Sequence, residues 1–199
     1  MANTSHNGGL RLYKAGIAPQ HLELVMFAAA DGTRVGIGDP VVVSSSGVSQ
    51  IGQGPYTQIV TQSGSSGTID GVIMCILPQF TDGSGAFSYA PYRPASTAMY
   101  ALMRPAHNED LWEIQASGST IYSTPTTNGL NGDMVIGACS TVTGLSTCQW
   151  NSAAQDQTAT RQLKFVGFVQ SYNNDPTSSG ADLIVRINNA RYSGGTGTA

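Results

Sequence analysis

Hydrophobic and polar positions alternate most clearly in residues 162–191, QLKFVGFVQSYNNDPTSSGADLIVRINNAR. The pattern predicts two strands, 163–171 and 182–189, joined by turn formers that include Asn173, Asn174, Asp175, Pro176 and Gly180. In the second strand Leu183, Val185 and Ile187 share one face, opposite Asp182, Ile184, Arg186 and Asn188. In the first, Leu163, Phe165, Gly167 and Val169 alternate with Lys164, Val166, Phe168 and Gln170. The second face is itself partly apolar, so the pair is expected to be half-buried on both sides, within a sandwich or barrel or against another subunit. Arg186 is expected on the less apolar face, at a subunit contact or hydrogen-bonded near the end of the barrel.

Weaker strand signals recur along the rest of the chain. Residues 22–30 (LELVMFAAA) precede Asp31-Gly32 and then TRVGIGDPVVV, which together predict a hairpin, with Pro40 marking a strand start or edge. SSSGVSQIGQGP reads as loop with room for one short strand. Strands follow at 56–62 and 69–77. Residues 79–94 form a long turn-rich segment carrying Phe80, Phe87, Tyr89 and Tyr92, of the kind that drapes over a neighbour. Residues 95–104, hemmed by Pro94 and Pro105, favour strand over a short helix. Residues 111–117 alternate as a half-buried strand, 133–138 form a weaker one, and the polar stretch 149–160 reads as a connection with room for a helical turn. About ten short strands without a long helix give an all-β fold. The expected organisation is an extended N-terminal arm over 1–21, a single β-barrel or β-sandwich domain over 22–192, and a flexible tail over 193–199. The arm carries isolated apolar residues, Leu10, Leu12, Tyr13 and Ile17, suited to ordering against a partner.

Composition narrows the partners. Of 199 residues, 40% are hydrophobic but only 11% are charged, and Gly contributes 24; ordinary soluble domains carry about 25% charged residues. A surface of hydroxyls and amides has little self-repulsion, which favours assembly with like subunits. The net charge of −3 and the absence of a basic patch argue against nucleic acid. No apolar run approaches the length of about 20 residues that spans a bilayer, so no membrane partner is expected. The first residues lack a charged region followed by an apolar core, so no secretory signal is expected and synthesis is placed in a cytoplasm.

Chemical motifs are scarce. The chain has no Gly-x-Ser-x-Gly elbow, phosphate-binding loop or dinucleotide fingerprint. His107-Asn108-Glu109-Asp110 is the one cluster resembling a metal site, and a solvated turn explains it better. No pair of carboxylates is singled out for acid–base work. Cys75 sits in the apolar run GVIMCIL as a small buried hydrophobe, while Cys139 and Cys148 bracket STVTGLST and are candidates for a hairpin disulfide outside reducing conditions. No catalytic residue, cofactor or metal is assigned, and the chain is expected not to be an enzyme.

Three segments carry a resemblance: GDPVVV at 38–43, YALMRPAHNEDLWEIQAS at 100–117, and LKFVGFVQSYNNDPTSSGADLIVRINNARY at 163–192, with GLNGDMVIGACSTVTGLSTCQWNS between the last two. In this order and spacing they resemble capsid decoration, or cement, proteins of tailed bacteriophages. The chain departs from that pattern in its poverty of charge and in Cys139 and Cys148. The resemblance implies a small β-barrel or β-tulip-like structural virion protein. Such proteins assemble commonly as trimers on the outer capsid surface and bridge major capsid subunits. The arm residues Leu10, Leu12, Tyr13 and Ile17, the loop residues Phe87, Tyr89 and Tyr92, and Arg186 would then contact the major capsid protein or sister subunits. The competing readings are a tail, fibre or receptor-binding virion component, and a carbohydrate-binding β-sandwich module.

Overall fold

In a computed structural model, residues 3, 8–16, 18, 21–51, 54–80, 87–88, 90–118 and 130–190 are described. These residues are all-β and form no helix, with two principal sheets packed together. The first sheet is a closed barrel of β2 (Glu23–Phe27), β4 (Thr57–Gln62), β3 (Pro40–Ser49), β5 (Gly71–Ile76) and β8 (Met99–Pro105), in that spatial order. Its strands are rich in Val, Ile and Met, which suit a pleated surface closed on itself. Val25, Phe27, Val41, Val60, Ile73, Met99, Ala101 and Met103 fill its interior. Residues 95–104 thus supply a strand, as the flanking prolines predict.

The second sheet has six strands in the order β1 (Arg11–Lys14), β9 (Leu111–Gln115), β13 (Asp182–Ile187), β12 (Leu163–Phe168), β10 (Asn131–Val135) and β11 (Gln149–Asp156). It curls until its far edge returns to β9: Ala116 bridges Trp150, and the Ser117 N–H donates to the Trp150 carbonyl at 2.9 Å. Trp112 and Trp150 are fully buried in its core with Ile114, Met134, Leu163 and Val185. A short hairpin of β6 (Gln79–Phe80) and β7 (Phe87–Ser88) forms a third, two-stranded unit within the segment read as a long loop.

β12 and β13 pair antiparallel as the alternation predicts, with Leu163 opposite Ile187 and Phe165 opposite Val185. Their loop is braced from within: the Asn174 side chain donates to the carbonyls of Val169 and Asp182 and accepts the Asp182 N–H. The outer face is covered unevenly: Asp182, Ile184 and Asn188 are half-buried, while Lys164, Val166 and Arg186 are exposed.

Other expectations are corrected. The segment read as an N-terminal arm is, over its described part, integral to the fold. β1 pairs with β9, and Leu10 is fully buried in the core of the six-stranded sheet. Its N–H donates to the Gly38 carbonyl. Gly9 (φ +58°) and Gly38 (φ +90°) make this approach possible, because a Cβ on Gly9 would lie 2.4 Å from the Gly38 carbonyl oxygen. Asp31-Gly32 does not close a hairpin: β2 neighbours β4 and β8, and β3 lies beyond β4. In the stretch read as loop with room for one short strand, residues 44–49 continue β3, and 149–156, read as a connection, is the edge strand β11. Cys75 is half-buried, not enclosed.

Candidate functional site

The most concentrated chemistry lies where the two sheets meet, at Asp39. Gly38 turns the chain into Pro40 and β3, and leaves the Asp39 side chain pointing inward with no exposed surface. Oδ2 accepts the Gly36 N–H at 2.7 Å, and Oδ1 accepts the Ser146 hydroxyl at 2.5 Å and the Cys148 thiol at 3.3 Å. Ser146 Oγ in turn accepts the Cys148 N–H at 3.0 Å. Backbone bonds continue the tie, from Ile37 N–H to Gly144 and from Ser146 N–H to Ile37. Gly9 packs directly on Ser146.

Burial pushes the Asp39 carboxyl above its ordinary range, against the pull of the Ser146 and Gly36 hydrogen bonds. Burial, with the Asp39 charge behind it, pushes the Cys139 thiol up to about 11 and the Cys148 thiol up to about 12. Both are free thiols in this structure, not a disulfide. A nucleophilic cysteine needs a populated thiolate, and these surroundings work against one. The recess beside them, lined by Gly8, Gly9, Arg11, Gln115 and Cys148, has no interior space for a small molecule. What this cluster can do is hold two sheets in register.

Two further buried groups act in the same way. The Gln162 amide donates to the carbonyls of Gly64 and Gly67 at 2.8 and 2.9 Å and accepts the Met134 N–H at 3.1 Å, joining the six-stranded sheet to the loop after β4. Arg93 donates to the carbonyls of Thr33, Ala28 and Thr97 and lies 5.5 Å above the Phe27 ring. Its guanidinium, 3.8 Å from Asp31, holds together the segment mistaken for a hairpin turn. Among the described residues, no group of three or more His, Cys, Asp or Glu side chains is placed to hold a metal ion.

The structure scatters the residues read as interface candidates. Leu10 is buried, Leu12 packs half-buried against the same core, and Tyr13 is half-exposed on β1. Tyr92 is half-buried near Arg93 in sequence. Ile17, Tyr89 and the Phe87 side chain lie outside the described residues. Arg186 is exposed and stands opposite Lys164, with no side-chain hydrogen bond or ion pair to any described residue, so the expected barrel-end partner is not found. Asp39, Ser146, Arg93 and Gln162 escaped sequence reasoning. The one local signal was Gly-Asp-Pro at 38–40, a turn whose acid need not face solvent.

No protein-family model matches the chain, and neither a curated protein nor a solved structure shows significant similarity to it.

Proposed function

We propose that this chain is a structural virion protein that binds the outside of a phage capsid and stabilises the lattice by bridging major capsid subunits. The observation that carries this reading is where the charge goes. Asp39, Asp70, Asp110, Asp133, Arg93 and Arg104 are all buried, and Arg11 pairs with Glu113. A chain already poor in charge therefore presents mostly hydroxyls, amides and isolated apolar side chains. Val48, Tyr56, Val142 and Tyr172 are the most exposed of these. Such a surface packs densely against protein without like-charge repulsion and without stranding charges.

The three segments that resemble decoration proteins supply neighbouring parts of one frame. Residues 100–117 give β8 and β9, residues 163–192 give β12 and β13, and 38–43 open β3. β9, β13 and β12 are adjacent in the six-stranded sheet. The likeness thus concerns a scaffold, which suits a non-enzymatic spacer. Two sheets locked by Asp39 and Gln162 make a rigid unit. Many copies on a symmetric shell, assembled as homo-oligomers with a trimer favoured, would convert weak contacts into a strong restraint.

The test is the copy number per purified phage particle, measured against the major capsid protein by quantitative mass spectrometry. Hundreds of copies in simple ratio to the capsid protein are expected. A handful would indicate a tail or fibre component, and absence from particles would overturn the reading.

A further inference from the structure

Free positive charge gathers at one place in this molecule. Of the cations among the described residues, Arg93 and Arg104 are buried and Arg34 is half-buried. Arg11 pairs with Glu113, and Arg161 pairs with Asp133 and Asp156. Lys14, Lys164 and Arg186 are exposed, and none of the three has a side-chain hydrogen bond or ion pair with a described residue. Lys164 stands directly opposite Arg186 in the β12–β13 ladder. One step beyond the Val185–Trp112 pair, Arg186 comes level with Leu111, and Leu111 is opposite Lys14. The three cations thus lie along one row on the outward face of the six-stranded sheet.

Like charges directly opposed, with Cβ atoms about 5 Å apart, work against a sheet. The acids around the row do not relieve Lys164 and Arg186. Glu113 is taken by Arg11, and Asp133 and Asp156 by Arg161. Asp182 lies at the opposite end of β13 from Arg186, half-buried, and Glu109, exposed in the turn before β9, makes no ion pair with Lys14. A local cost with no return inside the chain marks a surface whose return comes from a partner. The adjacent row is apolar: Val166, 43% exposed, sits at a bulge in β12 beside the half-buried Ile184. Two cations and two aliphatic side chains therefore form one block, its rows about 7 Å apart along the strands.

The occupant follows from this block by charge complementarity. A carboxylate over Lys164 and Arg186 relieves their repulsion, and an aliphatic side chain two residues further along an extended partner covers Val166 and Ile184. A nucleic-acid backbone fits poorly. Its phosphates would meet Glu113 beside Ile184, and Asp133 and Asp156 on the β10–β11 side of the row, with nothing to cover the aliphatic pair. We infer that the outward face of β12 and β13, centred on Lys164 and Arg186, docks an acidic protein surface in which carboxylates alternate with aliphatic side chains. On the virion reading that surface belongs to the major capsid protein. The inference rests on that reading for the partner's identity and not for its chemistry.

The experiment measures binding of a fluorescent peptide to the full chain by anisotropy at low ionic strength. The probe repeats Glu and Val two residues apart among Ser and Gly, and a control peptide carries Lys in place of Glu. The wild type is expected to bind the probe and not the control. It should release the probe as ionic strength rises past about 0.15 M, where the Debye length is about 8 Å. Arg186→Glu and Lys164→Glu each turn an attraction into a repulsion and are expected to weaken binding at least about tenfold. Arg186→Glu also faces Lys164 with an opposite charge, so the sheet stays intact and a loss of binding there is not a loss of fold, which circular dichroism checks. Val142→Glu, which adds negative charge at a side chain 86% exposed in the turn after Ser140, is expected to leave binding unchanged. The inference is overturned by a wild type that does not bind the probe, by equal binding in Arg186→Glu, or by an equal loss in Val142→Glu. Tighter binding of duplex DNA than of the probe would overturn it too. Particle copy number judges the virion reading separately, so the failure of one is distinguishable from the failure of the other.

Discussion

Arg104 and Asp110 form a two-pronged ion pair with no solvent access on either side. Arg104 Nε donates to Asp110 Oδ2 at 2.7 Å, and Nη2 donates to Oδ1 at 2.9 Å. The pair closes the turn between β8, in the barrel, and β9, in the six-stranded sheet. It also reaches the N-terminal segment, because Asp110 Oδ1 accepts the Gly16 N–H and Arg104 Nη1 donates to the Ala18 carbonyl. The cluster that reads in sequence as a solvated turn is one at Asn108 and Glu109, which are exposed, but its last member, Asp110, is buried and with Arg104 clamps three parts of the chain.

Removing one partner of this clamp should be far worse than removing both. Asp110→Ala leaves the Arg104 guanidinium buried without its counter-charge, a change that costs about 3–5 kcal/mol. Replacing the pair together, Arg104→Met with Asp110→Leu, should recover much of that loss. Chemical denaturation of the two variants checks this. Equal destabilisation by both would show that the packing around the turn, and not the stranded charge, sets the effect.

The N-terminal segment should behave as part of the core. Leu10→Ala opens a cavity beneath the six-stranded sheet and is expected to lower stability by about 2–5 kcal/mol. Deleting residues 1–20 should go further, since it also removes strand β1 and the Gly16 and Ala18 contacts with the clamp. Thermal melts of both variants test this. A deletion that melts like the wild type would return residues 1–20 to the status of a detachable arm.

The parts of the fold legible in sequence are those in which a strand buries one regular face. In β13, Leu183, Val185 and Ile187 all point into the core, and the period of two survives intact. β11 was illegible because its ladder is interrupted. Gly132 pairs with Gln155 and Met134 with Trp150, so residues 151–154 stand against Asp133 alone and the alternation breaks. The false hairpin at Asp31-Gly32 has a different cause. Its conformation is fixed by Arg93, some sixty positions away, whose guanidinium takes up the carbonyls of Ala28 and Thr33. Buried hubs such as Asp39 and Gln162 draw their partners from distant segments, and no local pattern encodes them.

The thiols should separate by reactivity. Cys75 is half-buried and is expected to react first with a disulfide-exchange reagent at pH 8, while Cys139 and Cys148 stay protected until the chain unfolds. Their folded pKa values, pushed up to about 11 and about 12, lie above the ordinary 9.0 of the unfolded chain. Groups raised in this sense add stability that is fully present below pH 9 and is lost as pH rises through 11–12. Stability should therefore fall with pH above 9, and Cys148→Ser should flatten that fall. Rapid labelling of all three thiols in the native protein would contradict the burial.

Lys164 and Arg186 stand opposite each other on the exposed face of β12 and β13, two like charges directly across an antiparallel ladder. Such pairs work against the sheet, and opposite charges in the same positions favour it. Arg186→Glu should therefore raise stability by a few tenths of a kcal/mol, the scale of an exposed cross-strand pair, and the gain should shrink at high salt. Denaturant titrations at low and high ionic strength measure it. A loss of stability at low salt would instead mean that the Arg186 stem covers apolar surface on this face, with exposed Val166 the nearest candidate in sequence.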